Sequence, residues 1–218
     1  MSLPLHELAA LGTATCWALT GILAADAVRV LGAFHFNLYR QVFVALLLAL
    51  IVWAGGSLAG LDRTAVLVLA LSGVVGILLG DTFNFAAVAR LGPRRAGAVF
   101  ATNAPMAAIL GWALLGETLS PQAVAGIALT ALGVAVAILG RPRADAHRFE
   151  QTRGRLALGL AFGLVAALGQ AAGSLIARPV MVAGIDPWLA SLIRVGASGL
   201  AMGLLAATPL APRADGRA

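Results

Sequence analysis

Long apolar runs separated by short polar clusters set the pattern of this chain. Residues 96–115 hold no charged side chain, and at 1.5 Å per residue they form a helix of about 30 Å, the thickness of a bilayer's hydrocarbon core. The clusters on either side are Arg90-Leu91-Gly92-Pro93-Arg94-Arg95 and Gly116-Glu117-Thr118-Leu119-Ser120-Pro121. The same reading along the chain predicts seven spans, at about 8–25, 36–53, 65–88, 96–115, 122–139, 156–177 and 188–207. Most connections are short and predict antiparallel neighbours. The expected fold class is all-α, a polytopic membrane helical bundle.

Composition agrees with a membrane chain. Hydrophobic residues make up 61% of the 218 and charged residues 11%, against about 25% charged in soluble domains. Every one of the 15 basic residues is Arg. The net charge of +6 does not point to nucleic acid, because the arginines cluster beside apolar runs, where anionic lipid is the natural partner. Cys16 is the single cysteine, so no disulfide closes within the chain. There is no Cys/His pattern for a metal, and no cofactor is expected. The segment before the first run carries His6 and Glu7 and no cation, which argues for a retained helix over a cleaved signal. No nucleophile elbow, zinc-protease motif or phosphate loop is present, so the chain does not read as an enzyme.

A weak internal repeat divides the chain. Gly21 and Gly32 stand 11 positions apart, as do Gly173 and Gly184. Each second glycine leads into a helix with an aromatic residue and an arginine near its start: Phe34, Phe36 and Arg40, then Trp188 and Arg194. The expected units are a first repeat over 1–140, an Arg-rich connector over 141–155, a partial second repeat over 156–207 and a polar tail over 208–218. Five spans is an odd number, so the second copy would enter the membrane inverted. Small residues recur at packing spacing: Gly97, Ala101, Ala104, Ala108 and Gly111; Gly126, Thr130, Gly133 and Ala137; Gly159, Gly163, Gly169 and Gly173. All three stripes are expected to pack helix on helix.

The middle of the chain carries a family pattern. Asn103-Ala104-Pro105 interrupts a small-residue helix, Leu115-Gly116-Glu117 ends it, Leu119-Ser120-Pro121 follows, and Gly126 and Gly133 mark the closing helix. This ordered set resembles the first repeat of the EamA-type drug/metabolite transporter superfamily. The resemblance implies one complete five-helix repeat plus a partial inverted second one. It implies a secondary transporter or exporter of a small metabolite, amino acid-like or an organic cation, working by alternating access. A membrane-embedded enzyme and a non-transporting assembly subunit are the competing classes. Set against ten-helix relatives, the chain reads as an incomplete transporter, either truncated or completed by another copy or by separately encoded helices. Faces such as Gly169/Gly173 are then expected to lie open to lipid.

A few polar residues stand out within the spans. Asp81, with Asn84 after it, is costly in a membrane and calls for a partner or a wet cavity. It reads as a proton or cation site, or as a carboxylate paired with an arginine. Arg40 and Arg194 are expected to meet an anionic group, Asp81 included, or to snorkel to headgroups. Asn103 and Pro105 interrupt the fourth span, where freed backbone groups suit a substrate site. Trp17, Thr20 and Gln170 are further cavity candidates. Glu117 reads as a cap or topological mark, and His35 as a solvated connection residue. The N-terminal face holds Arg63 and Arg178, and the opposite face most other arginines. Charge therefore puts the N-terminus outside, whereas the resemblance implies a cytoplasmic one. The expected location is a plasma membrane of bacterial or archaeal type, with lipid and a small molecule as partners.

Overall fold

The computed structural model describes residues 5–56, 62–140 and 152–209, and every regular element in them is helical. Among the described residues, seven helices are long and apolar enough to cross a membrane. They are α1 (Leu5–Leu31), α2 (Ala33–Gly55), α3 (Arg63–Leu91), α4 (Pro93–Leu115), α5 (Pro121–Leu139), α6 (Leu156–Val182) and α7 (Pro187–Ala206). Residues 141–151 of the expected connector and 210–218 of the expected tail lie outside the described residues.

The ends of the helices follow local chemistry. Gly32 (φ 76°) and Gly92 (φ 79°) each turn the chain in a single residue, in backbone regions open to glycine. The expected break over 90–95 therefore shrinks to Gly92: Pro93 opens α4 at its first position, and Arg94 and Arg95 are already helical. His35 is likewise not a connection residue but lies half-buried in the first turn of α2, edge-on to Phe34. Asp186 caps α7, its Oδ1 accepting from the N–H groups of Trp188 (3.0 Å) and Leu189 (2.9 Å).

Two helices are irregular. α3 is π-helical over Val74–Asp81, with ordinary α-helix on both sides. α4 breaks at Ala101 and Thr102, where the Thr102 N–H bonds back three residues to the Val99 carbonyl (3.1 Å). Pro105 follows in the next turn; without an N–H it cannot close a bond to the Ala101 carbonyl.

The core is the seam between α3 and α6, flanked by α7. A Cβ added to Gly173 would lie 2.6 Å from the Gly76 Cα, and one on Gly169 would lie 3.2 Å from the Gly80 Cα. One on Gly73 would collide with the Arg194 backbone carbonyl. Ser72 donates its hydroxyl to the Gly173 carbonyl (2.6 Å) across the seam. The expectation that Gly169/Gly173 lie open to lipid is thus overturned: Gly173 is buried against α3. Gly159 and Gly163 meet Leu91 and Val99. The other two stripes do not pack as expected. Nothing lies within 4 Å of a Cβ placed on Gly97, Gly126 or Gly133, and α5 buries no residue at all.

Among the described residues, the buried positions of α1 are Ala24, Ala25 and Val28, all toward its C-terminal end. They join Phe85, Val88, Leu91, Ala96 and Val99 in apolar clusters near the Gly32 and Gly92 turns. At that end α1, α3 and α4 are closed on one another. Toward the N-terminal end of α1 they part and leave a cavity.

Candidate functional site

The cavity lies between α1, the second half of α3, the break in α4 and the middle of α6. Its volume is about 850 Å³. Trp17, Thr20, Asn84, Asn103 and Gln170 all line it, together with Thr13, Phe85, Gly97 and Phe100. Trp17 on α1 and Phe100 on α4 stack with centroids 5.4 Å apart. Asn103 donates its amide to the Phe100 carbonyl (2.8 Å), which holds the side chain beside the helix break. The expected packing stripe of α4 contributes Gly97, Ala101 and Ala104 to this wall instead. A wall of small residues on one helix, with the Trp17 and Phe100 rings also lining the space, leaves room for a compact solute. Pro105 is not among the lining residues, and its role is confined to the break.

A second recess of about 490 Å³ shares Thr13, Trp17 and Thr20 with the first and adds Gly12, Cys16 and Arg40. Arg40 stands at the boundary between this recess and a buried polar network. Its guanidinium is ion-paired with Asp81, donates to Asn37 Oδ1 (3.1 Å) and sits 5.2 Å from the centre of the Phe85 ring. Its side chain keeps 25% of its exposure and that of Asp81 5%, so the carboxylate lies behind the arginine. Asn84, one turn beyond Asp81, is buried but still reaches the cavity.

The network behind Arg40 ties α2 to the π-helical segment. Gln41 donates to Asn37 Oδ1 (3.0 Å), and Asn37 Nδ2 donates to Thr82 Oγ1 (2.9 Å) and to the Ile77 carbonyl (3.3 Å). Both ends of the Asn37 amide are used, as a buried amide requires. A π-helical turn puts one extra residue into each hydrogen-bonded ring, and such turns gather at functional sites. Here it ends at Asp81, so the carboxylate and Thr82 both come to the α2 face.

Arg194 approaches from α7. Its Nη2 lies 3.5 Å from the Cβ position of Gly76, and Gln170 Oε1 lies 3.7 Å from the same point. Gly76 stands one π-helical turn before Asp81, so this guanidinium reaches α3 on the stretch that carries the carboxylate. The Nε of Arg40 and the Nε of Arg194 have no hydrogen-bond partner. One guanidinium thus holds the carboxylate in the interior of the bundle, and a second reaches the same π-helical segment.

Sequence reasoning passed over Asn37, Gln41, Thr82 and Ser72. The signal was present at Asn37, Arg40 and Gln41: positions i, i+3 and i+4 share one helix face, and that face is polar within an otherwise apolar span. Glu117 sits apart from the cavity, ion-paired with Arg178 of α6 at a largely exposed position. Among the described residues no cluster of His, Cys, Asp and Glu suited to a metal ion occurs.

Against known protein families, residues 5–139 match the EamA-like transporter family. No curated protein and no solved structure matches the chain.

Proposed function

The chain belongs to the EamA-like transporter family, and on that premise we propose that it moves a small amphipathic metabolite through the cavity beside α1 by alternating access. The observation that carries this reading is the cavity itself. It brings Trp17, Thr20, Asn84, Asn103 and Gln170, distant in sequence, around one space large enough for a metabolite. A filled apolar interior would have suited an assembly subunit; an open, amide-lined one suits a solute.

The apolar clusters around Ala25, Val28, Leu91 and Val99 close one end, while α1 leaves the other end open. This is the asymmetry that one state of an alternating-access carrier requires. The break at Ala101 and Thr102 and the Gly92 turn supply hinges in the wall that would have to move. On this reading α6 and α7 form a partial second, inverted repeat, with Arg194 as the counterpart of Arg40. Amide, hydroxyl and aromatic lining argues against an organic cation, because Asp81 is already neutralised by Arg40.

Metabolite profiling tests this. Cells overproducing the chain should export a metabolite that cells lacking it retain, and purified protein in proteoliposomes should give saturable flux of that compound. Equal export profiles, or no flux above protein-free vesicles, would defeat the proposal.

A further inference from the structure

We propose, building on the transport reading above, that the solute is an organic anion. Its carboxylate would be held by Arg40 and Arg194, and its apolar body would rest against Trp17 and Phe100. The charge balance points there. Asp81 is ion-paired with Arg40, and Arg194 Nη2 lies 3.5 Å from the Cβ position of Gly76, one π-helical turn before Asp81, so two guanidiniums and one carboxylate leave a net positive charge inside an apolar bundle. No acidic residue lines the cavity or the adjoining recess among the described residues. An excess charge shielded from water is costly until a counter-charge meets it.

Access favours the same sign. Arg40 lines the recess and Asp81 does not, so an incoming group meets the cation first. Arg40 uses Nη2 on Asn37 and Asp81, and its side chain still keeps a quarter of its exposure. A guanidinium offers five N–H donors and takes a carboxylate in a forked geometry. Gln170, which lines the cavity, shares the space around Gly76 with Arg194. On this reading Asp81 is a positioning residue. It fixes both arginines and leaves one positive charge in excess, and an ammonium group would be repelled.

Cys16 provides the test in the natural chain, since it is the single cysteine, is exposed and lines the same recess as Arg40. The protein in lipid nanodiscs is treated with anionic sulfonatoethyl and cationic trimethylammonioethyl methanethiosulfonate, each rate normalised to a free thiol. The anionic reagent should be preferred by roughly tenfold, about one charge-assisted contact. Arg40→Gln and Arg194→Gln should each shrink that preference, and Asp81→Asn should enlarge it. Arg194→Gln carries the test if Arg40→Gln does not fold. Preference for the cationic reagent, a preference unmoved by both arginine variants, or a Cys16 that reacts with neither would overturn the inference. A parallel flux assay compares phenylpropionate, phenylpropanamide and phenylpropylammonium in proteoliposomes. Flux without preference for the carboxylate overturns the anion inference and leaves transport standing. An anionic preference at Cys16 with no flux of any compound keeps the anion site and removes the transport reading.

Discussion

The α3–α6 seam and the α1–α4 wall are built from the same small residues to opposite ends. At the seam Gly76, Gly80, Gly169 and Gly173 bring two backbones into contact, and Ser72 bonds across them. At the wall Gly97, Ala101 and Ala104 face α1 over a space of about 850 Å³. A glycine in a membrane helix therefore has two uses. It lets a neighbouring helix in, or it makes room for a solute. The difference lies in what stands opposite: bare backbone in one case, Trp17 and Thr20 in the other. In lipid, association rests on packing and polar contacts, so the seam is expected to be the fixed part and the wall the part that yields.

The sharpest way to break this comparison is to add the same side chain to both kinds of glycine. Gly173→Leu should cost about 3 kcal/mol or abolish folding, because its Cβ meets the backbone of α3. Gly126→Leu, on the open face of α5, should stay within about 0.5 kcal/mol of the natural chain. Denaturant unfolding in detergent, followed by tryptophan fluorescence, measures both. Equal losses would mean that the seam is not the source of stability.

The ion pair sharpens the comparison next, since it ties α3 of the seam to α2 beside the recess. Asp81→Leu leaves two guanidiniums without their shared counter-ion and should cost about 3 kcal/mol. Arg40→Met should cost less, because Arg194 remains near the carboxylate. The reverse order in the same unfolding assay would contradict the arrangement of charges. Ser72→Ala removes one buried hydroxyl bond and should cost about 1 kcal/mol. Glu117→Gln should shift stability by no more than about 1 kcal/mol, because its pair with Arg178 is largely exposed.

Much of the fold was legible because a membrane span needs only length and apolarity, and runs such as 96–115 state both. The ends were less so. Arg94 and Arg95 read as loop because charged residues favour water, yet Pro93 starts a helix beneath them. The π-helical turn from Val74 to Asp81 leaves no mark in composition, since its cause is tertiary: the fit of Gly76 and Gly80 against α6 and of Thr82 against Asn37. For the site, isolated polar residues in apolar runs were enough to draw out Asn84, Asn103 and Gln170. Asn37 and Gln41 escaped because they flank Arg40 near a helix start, where polar residues commonly mean only the membrane surface. The stripes on α4 and α5 misled because spacing records which residues share a face, not what faces them.

The central claim is that the cavity beside α1 is the path of the solute, and filling it tests that claim most directly. Gly97→Leu adds a side chain to the cavity wall at a position with nothing within 4 Å, so the fold should tolerate it. Gly126→Leu is the matched control on an equally open helix away from the cavity. Flux of the exported metabolite is measured in proteoliposomes for the natural chain and both variants at equal amounts of folded protein. The account predicts at least tenfold lower flux for Gly97→Leu and unchanged flux for Gly126→Leu. Undiminished flux with the cavity filled would contradict it.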